Sequence, residues 1–393
     1  MYGGRVALRI NPEMIEELAA DKRAVLVTGT NGKSTTTKMV AAALGSAGRV
    51  TGNLGGDNMQ TGVTTALMTG RGAHLASLEV DEMNLPDIAS RVRPEAIILL
   101  NLSRDQLDRV GEIGAVERRL RDAVNDNPQA VVVANCDDPL IVSAAWDAPK
   151  VVWVAAGAPW KDDAVAFPRT GTLVLRDGED WTVEDHPDFH RPTPDWTIGE
   201  VEESGTFTLH GPGVEAPVTL GVPGRANRGN SAQAIAAAVA MGIPVSRAAR
   251  AASTVSGVAG RYQTYELDGR EANLLLAKNP AGWQESQLAV PAETEQVVVA
   301  VNGQRADGTD LSWLWDVDFG PLKNLNPTKI IASGERAADL AVRLVFAGID
   351  AEVIDDPLQA VLACDPGPVQ VLANYTAFRD LKKDLEAAGA GEA

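Results

Sequence analysis

The eight residues TGTNGKST, Thr28 to Thr35, follow the short apolar run Ala24-Val25-Leu26-Val27. Gly29 and Gly32 permit backbone conformations in which amide N–H groups converge on an anion. A helix beginning near Lys33 adds its positive N-terminal end. Thr30, Asn31 and Gly32 are then expected along the phosphates. Lys33 can reach terminal phosphate oxygens, and Ser34 or Thr35 can ligate Mg²⁺. The longer nucleotide loop reads G-x-x-x-x-G-K-[ST], and here Val27 holds the place of its first glycine. A solvated lysine in an ordinary strand-to-helix turn is the plain alternative. Gly-Lys-Ser between a strand and a helix weighs against it.

Two acidic segments belong with this loop. Glu79 ends the apolar stretch AHLASLEV, and a carboxylate at a strand end can hold a Mg²⁺ that bridges phosphates. NLSRDQLDRVGE, Asn101 to Glu112, comes directly after the strand-like EAIILL and places Asp105 and Asp108 in the first turns of a polar helix start. Each segment would be ordinary alone. Together with the loop they mark three strand ends of one sheet. Further along, DGTD offers Asp307 and Asp310 between the predicted strand Gln296–Val301 and the aromatic stretch SWLW. Gly308 permits a turn that presents a carboxylate outward. Asp310 also suits a helix N-cap.

The elements that must carry these residues read as α/β. Ala24–Val27, Ala73–Val80, Ala96–Leu100, Ala130–Ala134 and Val151–Val154 are strand-like, and Ser34–Ala47 and Gly114–Val124 are helix-like. Such alternation predicts a parallel sheet covered by helices, with ligands at the C-terminal strand ends. From about Ala164 to Thr219 the texture turns to Gly, Pro, Thr and Asp, and a small β-rich insertion is expected. Asn230–Met241 is Ala-rich and strongly helix-favouring. A second α/β unit comes next, with strands at Ala272–Ala277, Gln296–Val301, Lys329–Ala332, Ala351–Ile354 and Val369–Ala373. The expected domains are 1–260 and 261–393.

Composition narrows the function classes. The 393 residues are 45% hydrophobic and 22% charged, as in ordinary globular chains, with room for two or three domains. The net charge of −18 argues against a nucleic-acid partner and against docking on anionic lipid through a general positive field. No apolar run reaches the ~18 residues of a membrane span, so a cytoplasmic protein with at most a peripheral approach to the membrane is expected. Cys136 and Cys364 read as buried thiols.

TGTNGKST, the Glu of SLEV, NLSRDQLDRVGE and NCDDP (Asn135–Pro139) together resemble the central domain of the Mur ligases. Members of that superfamily, folylpolyglutamate synthase among them, use ATP to turn a carboxylate into an acyl phosphate that an amine then attacks. PGRANRGNSAQAIAAA, Pro223 to Ala238, is similar to the family's adenine-side segment, which implies nucleotide contacts for Asn227 and Asn230; Arg261 of GRYQ matches the Gly-Arg that leads into the C-terminal domain. Gln106 stands where most members have His. LLLAKNPAGWQE, VNGQRADGTDLSWLWDVDF, SGERAADLAVRL and LANYTAF resemble, more specifically, the MurT group, the Mur-ligase-like subunits of lipid II isoglutaminyl synthases.

That resemblance implies ATP and Mg²⁺, with Ser34, Glu79 and Asp105 on the metal and Lys278 and Arg336 as further nucleotide-side cations. It implies amidation of the α-carboxylate of D-glutamate in the stem peptide of lipid II. It also implies a GatD-like glutaminase partner that supplies ammonia and whose Cys–His pair is completed by an Asp of this chain. Asp307 is preferred, since Asp310 has the competing capping role, and Asp316 is a third candidate. Because the loop begins at Thr28, no Mur-type N-terminal UDP-binding domain is expected before it. MurT-group chains commonly carry a four-cysteine zinc ribbon. Here Phe167 and Thr170 stand where one cysteine pair would be, and only His186 and His190 lie near the other, so a ribbon without zinc is expected. The competing readings are a stand-alone ligase of the folylpolyglutamate synthase kind, which adds an amino acid and needs no partner, a P-loop switch, and a non-enzymatic ATP-binding scaffold.

Overall fold

The computed structural model describes residues 2–104, 113–158, 160–202, 204–222, 224–255, 262–308 and 310–392. They fall into two compact units. The first runs to the helix Val245–Ser253, and the second begins with the strand Tyr262–Leu267.

In the first unit, β1 (Arg23–Thr28), β2 (Val50–Gly52), β3 (Leu75–Glu79), β4 (Ala96–Leu99), β5 (Val131–Asn135) and β6 (Val151–Val154) form one sheet. The order is β2-β3-β1-β4-β5-β6, and every pair is parallel. β3 and β4 are buried at every residue. A parallel strand covered on both faces needs apolar residues on both, which is why these segments read as unbroken apolar runs. Register sets the site: Val27 lies beside Glu79, and Thr28 beside Leu99. The segments after β1, β3 and β4 therefore meet at one sheet edge. The helices Gln60–Thr69, Leu85–Val92 and Val245–Ser253 escape the sequence reading. They are short, and Pro86 and Pro244 look like breaks although proline is tolerated where a helix starts.

The helix Arg225–Ala240 is buried continuously from Gly229 to Ala238. Its alanines let the backbone sit close to the sheet. A Cβ on Gly229 would come 2.1 Å from the carbonyl oxygen of Ala156, so this position requires glycine for close approach.

The expected single β-rich insertion is two separate sheets. β7 (Val174–Asp177), β8 (Asp180–Val183) and β9 (His186–His190) form one; β10 (Thr197–Val201), β11 (Thr206–Gly211) and β12 (Val214–Thr219) form the other. The second sheet belongs to the main core. Phe207, Leu209, Ala216 and Val218, at alternate positions of β11 and β12, join the cluster that contains Val27, Met39 and Ile235. The first has its own core of Phe167, Trp181 and Val183 with Val142 and Phe189. The Phe167 ring lies 4.8 Å from that of Phe189 and 6.1 Å from that of Trp181. Each such side chain contributes about 1.5–3 kcal/mol by burial. Aromatic packing thus holds this small sheet together around Phe167.

In the second unit, β13 (Tyr262–Leu267), β14 (Arg270–Leu276), β15 (Gln296–Ala300), β16 (Lys329–Ser333), β17 (Glu352–Val353), β18 (Gly367–Ala373) and β19 (Gly391–Glu392) form a mixed sheet. The order is β17-β16-β15-β18-β14-β13-β19, with β14 to β18 parallel and β13 antiparallel to both neighbours. The chain order reverses between β15 and β18. There Asn374 Nδ2 donates to the carbonyl of Asn302 (2.7 Å), and Asn302 N–H donates to Asn374 Oδ1 (3.0 Å).

Candidate active site

The loop after β1 is fastened to the segment after β4. Thr30 N–H donates to the carbonyl of Asn101 (2.8 Å), and Asn31 N–H to Asn101 Oδ1 (3.0 Å). Asn101 Nδ2 returns a bond to the carbonyl of Asn31 (3.0 Å). Thr30 Oγ1 donates to the carbonyl of Ser103 (3.1 Å) and accepts from Ser103 N–H (3.0 Å). Thr30 and Asn31 therefore spend these groups on shaping the loop. Asn101 and Ser103, read in the sequence only as part of a motif around Asp105, are what shape it.

Gly32 caps the helix Lys33–Gly45 with φ +87°. A Cβ there would meet Asn230 Oδ1 at 2.6 Å. No side chain caps the first turn, so the amides of Lys33, Ser34 and Thr35 face the loop as a cradle for an anion. Ser34 is half-buried, whereas Thr35 is buried, which makes Ser34 the hydroxyl that fits a metal. Asn230 is buried beneath the loop and donates to Asn227 Oδ1 (3.3 Å); Gln233 Nε2, one turn on, donates to the carbonyl of Leu99 (2.9 Å). Of the two asparagines expected on the nucleotide, Asn230 supports the loop and the half-buried Asn227 lies toward the helix start.

Lys33 Nζ donates to the carbonyls of Gly29 (2.5 Å) and Thr30 (3.3 Å) and to Glu82 Oε1 (2.9 Å). Nothing in the local sequence marks Glu82. It lies three residues past β3, on the short turn Glu82–Asn84, and burial pushes its carboxyl up while the Lys33 ammonium pulls it down. Glu79 is buried at the end of β3. Its Oε1 accepts from Asn58 Nδ2 (3.3 Å), and its buried Oε2 has no hydrogen-bond partner among the described residues. An orphaned carboxylate oxygen beside an anion cradle has the chemistry of a site for a hard cation. Ser34 and Glu79 thus fit Mg²⁺. Asp105 and Asp108, and Arg261, lie outside the described residues.

NCDDP acts as a joint. Asp137 accepts from Arg191 Nε (2.8 Å) and Gly157 N–H (2.6 Å), and Trp181 Nε1 donates to the carbonyl of Cys136 (3.1 Å). Asp138 accepts from Leu102, Leu140 and Ile141 amides, and burial still pushes its carboxyl up to about 6. These bonds connect β5 to the ribbon and to the segment that shapes the loop. Among the described residues no group of three or more His, Cys, Asp or Glu is arranged to hold a metal, and His186 and His190 are exposed.

In the second unit the DGTD carboxylates part company. Asp307 is buried, and its carboxylate accepts from Thr376 N–H (2.9 Å) and from the Thr376 hydroxyl. It fixes the start of the helix Tyr375–Ala387. Asp310 is exposed and accepts from Ser312 N–H (2.8 Å); Asp316 is exposed too. Preference for Asp307 as the outward group is therefore reversed by burial. Lys278 is exposed, with its ammonium 5.6 Å from the centre of the Tyr375 ring. Arg336 pairs with Asp339 at 2.5 Å.

Two family models match the chain: Mur ligase middle domain over residues 27–166 and MurT ligase C-terminal over residues 276–378. The chain belongs to the Mur ligase family. Within it, the likeness to the MurT group extends over nearly the whole length. The chain is 29% identical to the lipid II isoglutaminyl synthase (glutamine-hydrolyzing) subunit MurT of Streptococcus pneumoniae, over 97% of this chain and 91% of that one. It is 26% identical to the subunit of the same name from Staphylococcus aureus, over 89% and 84%. The fold is that of solved Mur ligases. A pseudomurein peptide ligase type C from Methanothermus fervidus superposes with a TM-score of 0.72 at 19% identity, covering 95% of this chain and 81% of the other. MurF ligase from Thermotoga maritima, solved in complex with ADP, gives 0.67 at 15% identity, covering 96% and 84%. Among the described residues no helix is long and apolar enough to cross a membrane.

Proposed function

We propose that this chain is the ATP-dependent amidating subunit of a lipid II isoglutaminyl synthase. The observation that carries the reading is the end-to-end likeness to glutamine-hydrolyzing synthase subunits, joined to a phosphate cradle whose neighbouring Glu79 has an unspent oxygen. In this reading the α-carboxylate of D-glutamate in the lipid II stem peptide attacks the γ-phosphorus of ATP. The bond from that phosphorus to the β-phosphate's bridging oxygen breaks, giving ADP and an acyl phosphate. Ammonia then adds to the acyl carbon, phosphate leaves with the C–O electron pair, and the surplus proton passes to solvent. The product is D-isoglutamine.

The chain's own work is positioning and charge neutralisation. The first-turn amides of the helix Lys33–Gly45 hold phosphate oxygens, and Lys33 faces the terminal phosphate. Ser34 and Glu79, with Asp105, would hold a Mg²⁺, which supplies Lewis-acid polarisation of the phosphoryl oxygens. Asn227, Arg261, Lys278 and Arg336 are assigned to the nucleotide side on the family resemblance.

Ammonia comes from a GatD-like glutaminase partner, since the relatives are named as subunits. An Asp of this chain orients the partner's catalytic imidazole. Asp310 takes that role here, because its carboxylate is exposed while that of Asp307 is committed to Thr376. The competing reading, a stand-alone ligase that adds an amino acid, draws support from a UDP-N-acetylmuramoylalanine–D-glutamate ligase of Pelotomaculum thermopropionicum, 27% identical over 93% of this chain and 72% of that one. Incubation of the chain with lipid II, ATP, Mg²⁺ and either ammonium or free amino acids separates them. ADP release that depends on lipid II and ammonium supports amidation, and release that depends on an amino acid supports the alternative.

A further inference from the structure

Lys33 has three N–H donors, and Gly29, Thr30 and Glu82 take all three. A phosphate oxygen can reach the ammonium only if one of them lets go. The carbonyls of Gly29 and Thr30 are part of the loop itself, which Asn101 and Ser103 hold in shape. Glu82 belongs to a different element, the turn Glu82–Asn84 after β3, whose start is capped by Asp81 accepting from Met83 N–H (3.1 Å). Glu82 is therefore the exchangeable partner. The pair is well shielded, with both side chains 12% exposed, so it is not an ordinary surface contact. Glu82 also brings a negative charge to the place where a phosphate must arrive, with Asp81 beside it in sequence and Glu79 at the end of the preceding strand.

We propose that Glu82 is a positioning residue that acts through Lys33. Its carboxylate holds the ammonium across the loop in the place of a phosphate and yields it when the nucleotide's terminal phosphate enters. The inference rests on reading the loop as the nucleotide site. Its consequence is unusual for a residue beside a binding site: removing its charge strengthens binding. The contact being displaced is a shielded ion pair, so the effect should be roughly three- to tenfold.

The test is direct binding of ADP and of a non-hydrolysable ATP analogue, with Mg²⁺ present, to the wild-type full chain, Glu82→Gln and Glu82→Asp. Glu82→Gln keeps the shape and removes the charge; it should lower the dissociation constant by that factor and lower KM for ATP in parallel, without raising kcat. Glu82→Asp keeps the charge and should show no tightening. Thermal unfolding confirms that each variant is folded. Unchanged or weaker binding in a folded Glu82→Gln variant overturns the exchange, because a merely structural carboxylate would give that result. A wild-type chain that binds neither nucleotide overturns the loop reading itself, and the role of Glu82 falls with it.

Discussion

At the scale of single residues the site contains two opposite kinds of carboxylate. Glu79 has a buried oxygen with nothing to accept from among the described residues, and Asp307 has both oxygens engaged. The first arrangement costs stability unless a cation arrives, and the second provides it. Mg²⁺ should therefore raise the thermal midpoint of the wild-type chain, and Glu79→Gln should abolish most of that rise while its metal-free stability is equal or higher. A thermal-shift titration with MgCl₂ checks both, and an undiminished Mg²⁺ response in Glu79→Gln would remove Glu79 from the metal site. Lys33→Ala should remove ATP turnover and leave the fold intact. Asp307→Asn should cost on the order of 1–3 kcal/mol, since an amide cannot accept through both of its polar atoms from the Thr376 donors. Asp310→Asn should leave stability unchanged but suppress glutamine-driven amidation in the complex, while ammonium-driven amidation survives. Full glutamine-driven activity in Asp310→Asn would end the claim on this carboxylate.

At the scale of elements, what was legible in the sequence is what is local. The strand–loop–helix from Arg23 to Gly45 announces itself, because Gly29, Gly32 and Lys33 lie within one turn of chain. Glu79 is legible because a strand end is visible in an apolar run. Glu82 is not legible, because only the turn after β3 brings it back to Lys33, 49 residues earlier. The inward turn of Asp307 is hidden for the same reason. Its partner Thr376 lies 69 residues away, and a Gly-containing turn looks outward-facing until that contact is known. The ribbon shows the complementary case. In the sequence Phe167 stands out only where a cysteine is expected, whereas it is the centre of an aromatic core with Trp181 and Phe189. Phe167→Ala should destabilise by about 3–5 kcal/mol. Denaturant unfolding measures that loss, and metal analysis of the purified wild-type chain should find no stoichiometric zinc. One zinc per chain would redirect attention to His186 and His190.

At the scale of the molecule, two α/β units present their strand ends in different ways. The first places an anion cradle, a lysine and an orphaned carboxylate oxygen at the C-terminal ends of β1 and β3. The second exposes Asp310 beside the turn that Asp307 anchors. The chain carries a net charge of −18, which suits neither a nucleic acid nor a direct electrostatic hold on anionic lipid. ATP, in the function proposed, is spent here to join ammonia to a carboxylate of lipid II. The most direct measurement supplies the chain and a glutaminase partner with lipid II, ATP, Mg²⁺ and glutamine labelled with ¹⁵N at the amide, followed by mass spectrometry of the stem peptide. The expected product is a ¹⁵N carboxamide at the α-carbon of D-glutamate, formed only with ATP and lost in Lys33→Ala. A stem peptide lengthened by an amino acid, or an unchanged carboxylate while ATP is hydrolysed, would contradict it.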